Sequence, residues 1–141
     1  LDHLFLGTKR DNAIDMAREL RRLREKVAAG AEFVITQPVF AVEPLERFLD
    51  AIADLHVPVI AGVWPLASLR NAEFMRNEVP GVVVPDDVMR RMAAAPDREG
   101  QRREGIAIAR ETIASIRRLV RGVQVSAPFG QVATALAVLA E

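Results

Sequence analysis

The chain has no cysteine and no tyrosine, one tryptophan and two histidines among 141 residues. Without cysteine there is no disulfide framework and no thiolate metal site. His3 and His56 are isolated, with no Asp, Glu or Cys around them at metal-ligand spacing, so they read as surface or cap residues and no metal centre is expected. No excess of one charge exists either. Nineteen basic and nineteen acidic side chains cancel, which removes the electrostatic case for nucleic acid as a partner. No apolar run approaches the roughly 20 residues of a membrane span, and no N-terminal segment has a signal-peptide layout. A cytoplasmic location fits these absences. Also missing are G-x-S-x-G, a P-loop and G-x-G-x-x-G. The carboxylates lie mostly on helix faces and in turns, and none reads as a general acid, so no catalytic residue is assigned. The chain starts at Leu1 rather than methionine, and is expected to be a piece of something longer.

Half the residues are apolar, enough to bury a core. Leu4, Phe5 and Leu6, ended by Gly7, read as a strand. A helix follows from Asp11, with Asn12 and Asp15 at capping-box spacing. Ala13, Met16, Leu20, Leu23 and Val27 give it one apolar stripe, and Gly30 is a left-handed stop. Glu32 to Thr36, "EFVIT", reads as a buried strand stopped by Gln37 and Pro38. Pro44 suits the first turn of the next helix, whose face is Leu45, Phe48, Leu49, Ile52 and Leu55. A strand over Val57 to Trp64 closes at Pro65. Ser68 caps a further helix, and Asp86 caps a small one through Met92. After the break "AAAPDREG" a long helix runs from about Arg98 to Arg121, ended by Gly122. Its stripe (Ile106, Ala109, Ile113, Ile116, Val120) is too short for a coiled-coil seam and sits between strands, so it reads as a helix packed on a sheet. "VQVSA", stopped by Pro128, is the last strand, and Gln131 to Ala140 the last helix.

Strand and helix thus alternate four times, with an extra helix in the third unit. That order means an α/β fold with a parallel sheet covered by helices. An open doubly wound sheet and a (β/α)8 barrel both satisfy it. A complete barrel takes about 250 residues, so this chain would supply only half of one. In either fold, ligands sit at the carboxyl ends of the strands. Three segments fall there: Thr36-Gln37-Pro38, Trp64-Pro65-Leu66 and Ser126-Ala127-Pro128. Gln37 stands out, because an amide offers donors and acceptors and can read a heterocyclic ring edge. The plain alternative is a glutamine that satisfies loop backbone. The helix before it carries Arg18, Arg21, Arg22, Arg24 and Lys26 with Glu19 and Glu25 between. Such a run is usually a solvated face with local ion pairs, with phosphate contact as the functional alternative.

Two of these segments carry a family resemblance. "LREKVAAGAEFVITQPVF" resembles the signature segment of methylenetetrahydrofolate reductases, and "VIAGVWPLASLRNAEFMRNEVPGVVVP" resembles the segment that follows it. The version is most like that of bacterial chains fusing this reductase to a homocysteine S-methyltransferase. "GVQVSAPFG" is like the final strand of the fused type, where single-function reductases carry a His-Phe-Tyr-Thr motif. The similarity covers roughly Leu20 onward. It implies the C-terminal half of a (β/α)8 TIM barrel over residues 1–141. It also implies FAD at the strand ends, NADH or NADPH as hydride donor, and reduction of 5,10-methylenetetrahydrofolate to 5-methyltetrahydrofolate in one-carbon metabolism and methionine biosynthesis. By motif matching, Lys26 falls beside the FAD phosphates, Arg22 and Glu25 on FAD-contacting positions, and Glu19 near the FAD sugar. Gln37 matches the glutamine that hydrogen-bonds the folate pterin. Leu69 falls where some members place an aromatic residue beside substrate, and supplies an apolar wall without an aromatic face. Gln131 stands nearest a substrate-contacting arginine and cannot supply its charge. The family's general-acid glutamate belongs to the first barrel half, which this chain lacks. The fused type's methyltransferase needs cysteine-bound zinc and is excluded here. The expected partners are folate and either the missing barrel half or a second copy of this chain. A half-barrel exposes open sheet edges, so the alternative is a non-catalytic module that dimerises or binds a partner.

Overall fold

In a computed structural model, residues 12–140 are described, with side chains from residue 16 onward. The strand expected at Leu4–Leu6 and the side chains of the Asn12–Asp15 box lie outside the described residues. Among these residues there are three strands and six α-helices, and the strands form one parallel sheet in the order β1-β2-β3. No described helix is long and apolar enough to cross a membrane.

Helix α1 (Asn12–Ala28) buries Leu23 and Glu19. It ends as the sequence demands. Gly30 takes φ +115°, its N–H donates to Val27 O, and the N–H of Ala31 donates to Lys26 O. These paired bonds form a Schellman cap, open to glycine because it carries no Cβ. Strand β1 then covers Val34–Pro38, two residues later at each end than the expected Glu32–Thr36. Glu32 and Phe33 are exposed, and pairing starts only where Val34 meets Val59. Gln37 and Pro38 therefore belong to the strand rather than to its stop.

Helix α2 (Val42–Ala51) buries Leu45 and Phe48, and Ile52 just past its end is also buried. The apolar spacing anticipated this face. A single 3-10 turn, Ala53–Leu55, leads into the central strand β2 (Val59–Val63). It is shorter than the expected Val57–Trp64. Ser68 caps α3 (Leu69–Glu78), its hydroxyl accepting from Asn71 N at 3.0 Å. Helix α4 covers Asp86–Ala94. Its N-cap is Pro85 rather than Asp86, which sits at the first helical position and accepts from Arg76. Helix α5 runs Arg98–Ile116 and is capped by Asp97, whose carboxylate accepts from Gly100 N at 2.7 Å. It stops five residues before the expected Arg121, because the chain must turn to bring Arg121 N to Val59 O. Gly122 consequently opens β3 (Gly122–Val125) instead of closing the helix. Pro128 starts a 3-10 turn, Pro128–Gly130, and α6 spans Val132–Leu139.

Three apolar clusters fill the interior. One lies beneath α3, α4 and α5, around Leu66, Met75, Met92 and Ile108. A second joins α1, β1, α2 and β2, around Leu23, Val34, Phe48 and Val59. Val63, Ala109 and Val138 form the third, against α6. Helix α5 enters all three, through Ile108, Ile116 and Ala109. It comes close enough only because residue 105 is glycine. A Cβ there would lie 1.8 Å from Leu66 O, well inside contact distance. The segment that carries Trp64, Pro65 and Leu66 is thereby pressed down at the carboxyl end of β2.

Candidate functional site

At the carboxyl end of β1 the ladder slips. Ile35 pairs with Ile60, but the next pair is Pro38 with Gly62. Three steps on β1 thus face two on β2, a one-residue bulge. Bulges bend the strand and re-aim a side chain. Here Thr36 and Gln37 occupy the irregular stretch. Thr36 Oγ1 accepts the Gly62 N–H at 3.0 Å and donates to Gln37 O at 2.8 Å, replacing the lost ladder bond. Gly62 is required by this approach, since a Cβ would sit 2.6 Å from Thr36 O.

Gln37 lines a pocket of about 570 Å³, within the size range of small-molecule sites. Its walls come from Met16 on α1, from Pro38 to Ala41, from Pro44, Leu45, Arg47 and Phe48 on α2, from Arg76 on α3, and from Gly81 to Val84. The pocket opens between the first two apolar clusters, which supply Phe40 and Val82 from one and Leu45 and Phe48 from the other. Gln37 Oε1 is buried and has no hydrogen-bond partner among the described residues. Leaving such an acceptor unsatisfied costs about 1–3 kcal/mol, and native structures tolerate few of them. A pocket-lining amide with an unpaired acceptor suits a ligand that brings a donor.

Beside it, at the end of β2, the Trp64 ring is fixed by the buried amide of Asn71. Asn71 Oδ1 accepts from Trp64 Nε1 at 2.9 Å and from Ala67 N at 3.1 Å. Phe129, 75% exposed and at φ +53°, meets Trp64 edge-on with ring centroids 6.5 Å apart. Gln101 reaches across from α5 to accept the Leu69 N–H at 2.9 Å.

The residues singled out in the sequence fall into separate places. Gln37 lines the pocket. Glu19, Arg22, Glu25 and Lys26 share α1. Glu19 is buried and accepts from Arg22 at 3.2 Å, while Arg22, Glu25 and Lys26 are exposed. Met16 reaches the pocket, and Lys26 lies ten residues further along, about 15 Å of helix, close to the Schellman turn that opens β1. The four α1 residues therefore lead away from Gln37 toward the opposite end of the sheet. Leu69, the first residue of α3, is half-buried and packs on the first cluster; it is not part of the pocket wall. Gln131 is exposed at the N-cap of α6 and makes no side-chain cap bond. Sequence reasoning passed over Arg47, Arg76 and Asn71, and named Trp64 only as part of a strand-end segment. Arg47 was findable from its place in the second turn of the helix leaving β1, while Asn71 gave no local signal.

A parallel sheet with helical crossovers, a slipped strand end and a ligand-sized pocket at the carboxyl edge defines an α/β protein of the kind that binds small molecules above its strands. The methylenetetrahydrofolate reductase model matches residues 8–126, and the chain belongs to that family. It is 31% identical over 99 residues to methylenetetrahydrofolate reductase 2 of Schizosaccharomyces pombe, covering 65% of this chain and 15% of that protein. It is also 31% identical over 72 residues to methylenetetrahydrofolate reductase 2 of Saccharomyces cerevisiae, covering 47% of this chain and 12% of that one. The chain thus spans a small part of these relatives. Among solved structures, it resembles an uncharacterised protein from Clostridium thermocellum that binds two copies of 5-methyl-5,6,7,8-tetrahydrofolic acid. The TM-score is 0.57 at 18% identity, over 86% of this chain and 46% of that one, a likeness of fold.

Proposed function

We propose that this chain is the C-terminal part of a (β/α)8 barrel that reduces 5,10-methylenetetrahydrofolate, and that Gln37 reads the edge of the pterin ring. The observation that supports this reading is that Gln37 lines the pocket and carries a buried Oε1 with no partner among the described residues. A pterin edge carries N–H donors that would satisfy it. Family membership supports a folate as the substrate class.

FAD is the cofactor this reading implies, and the α1 residues fit part of it. Arg22 and Lys26 stand one turn apart and exposed, suited to phosphate oxygens. Glu19 is buried and holds Arg22 by an ion pair, which fixes the direction of that guanidinium. Glu25, next to Lys26 in the chain, is also exposed. When bound, FAD supplies the transfer of hydride from NADH or NADPH to the folate. This chain's own contribution is to bind and orient: Arg22 and Lys26 at the phosphates and Gln37 at the pterin, while Leu69 and Gln131, outside the pocket wall, would meet only parts of the substrate that extend beyond it. No residue here is assigned proton transfer.

Replacing Gln37 with alanine in the reductase that contains this segment should slow folate reduction about tenfold or more, the cost of one buried hydrogen bond to a ring. Transfer from NADH to flavin should change little. Equal losses in the two half-reactions would remove the pterin role. The isolated chain should carry little flavin; stoichiometric yellow flavin with NADH oxidation would show that it needs no other barrel half.

A second reading rests on the sheet itself. Among the described residues β1 and β3 each pair on one side only. A half-barrel that dimerises through such edges, without catalysis, is the alternative.

A further inference from the structure

We propose that Thr36 is a positioning residue for Gln37: its hydroxyl sets the bulge from which the Gln37 side chain leaves the strand, and so acts on folate reduction without touching folate. The inference deepens the pterin reading above and rests on it for the reaction affected. A regular ladder would give the Gly62 N–H a carbonyl of β1. Here Ile35 pairs with Ile60 but Pro38 with Gly62, and the partner of that N–H is Thr36 Oγ1 at 3.0 Å. The same hydroxyl donates its proton to Gln37 O at 2.8 Å. One side chain thus joins the β2 backbone to the backbone of the residue that bears the amide. Two carbonyls crowd the same spot. A Cβ on Gly62 would lie 2.6 Å from Thr36 O and 3.3 Å from Gln37 O. The peptide units on both sides of the Gln37 Cα are therefore held against β2. With them the direction of its Cα–Cβ bond is set.

Thr36 belongs to the pocket wall itself, but a hydroxyl has a single proton. Here that proton is committed to Gln37 O, so Thr36 has none to offer a ligand. Substitutions separate a hydroxyl that positions from a residue that merely suits a strand. Valine keeps the branched shape and the strand propensity but loses the hydroxyl. Serine keeps the hydroxyl and loses the methyl. A threonine present for its shape tolerates valine better than serine. A threonine present for its hydroxyl reverses that order.

The test uses the reductase that contains this segment, with flavin reduction by NADH and flavin oxidation by folate followed separately by stopped flow. Thr36→Val should slow the folate half-reaction about fivefold and leave the NADH half-reaction unchanged, as a misaimed contact does. Thr36→Ser should restore the rate. Added to Gln37→Ala, Thr36→Val should cause no further loss, because the group it aims is gone. Crystal structures supply a readout apart from turnover: the Gln37 amide should be displaced in Thr36→Val and in place in Thr36→Ser. If Thr36→Val fails to fold, Thr36→Ala, which also lacks the hydroxyl but is smaller, takes its place. A selective loss in Gln37→Ala with none in Thr36→Val overturns the proposal and leaves the pterin reading standing. Equal losses in both half-reactions of Thr36→Val, or a loss that persists on Gln37→Ala, also overturn it. No selective loss in Gln37→Ala removes the pterin reading instead, and the place of the amide in the Thr36→Val crystal then decides the positioning role by itself.

Discussion

Gln37 carries an energetic debt. Its Oε1 is shielded from water and finds no donor within the described protein. A leucine of similar volume at this position removes the unsatisfied acceptor. Gln37→Leu should therefore stabilise the fold by about 1 kcal/mol, read as a higher urea midpoint at unchanged slope. An ordinary structural glutamine would destabilise when so replaced, since its bonds would be lost. The position itself was legible: the strand-helix alternation placed residue 37 at a strand's carboxyl end. The orphaned atom was not, because it follows from a bulge and from Gly62, and both depend on strand pairing across about 25 residues of sequence. The sequence likewise held no sign that Gly105 admits Leu66 O, because nothing local demands a glycine within that helix.

At the scale of elements, regularity was readable and termination only in part. The faces of α1, α2 and α5 follow from apolar spacing, and Ser68 and Gly30 act as their residue types direct. The ends of β1 and α5 shifted because long-range hydrogen bonds decide them, Val34 N to Pro58 O in one case and Arg121 N to Val59 O in the other. Tertiary ties between elements were also invisible in advance, above all the one that joins α4 to α5. Arg91 donates to Glu104 Oε1 and, through two nitrogens, to both oxygens of Glu111. The hydrogen bond from Arg91 holds the Glu111 carboxyl below its ordinary value, against the opposing effect of partial burial. A carboxyl depressed in the folded state contributes stability that is present above its unfolded pKa of about 4.3. That stability is lost as pH falls through the lower folded value. Arg91→Gln should thus lower the urea midpoint at about pH 7, and its deficit should shrink toward about pH 3 as Glu111 protonates in both proteins. A deficit constant over that range would mean that Arg91 acts through packing of its stem rather than through its charge.

For the whole molecule, the question is what covers the outer strands. Three parallel strands are few for a sheet that is normally shielded on both faces. Each outer strand has an unpaired side among the described residues. Apolar surface gathers on the β3 side: Phe129 is 75% exposed, Leu136 63%, Val132 61% and Leu139 55%. Scattered exposed apolar residues need no account, but four within eleven positions make a patch. An unpaired edge beside an apolar patch favours association, either with the rest of a barrel or with another copy. The isolated chain should consequently run larger than its 15.5 kDa in light scattering at micromolar concentration. Leu136→Glu places a charge in the middle of the patch, on a residue whose side chain already faces out, so folding should be spared. It should shift the mass toward the monomer, while circular dichroism remains unchanged. On the half-barrel proposal, a separate polypeptide carrying the other barrel strands should compete with self-association if both use the β3 edge. A monomeric wild-type chain would show that β3 and α6 need no cover, and the half-barrel reading would then have to rest on β1 alone.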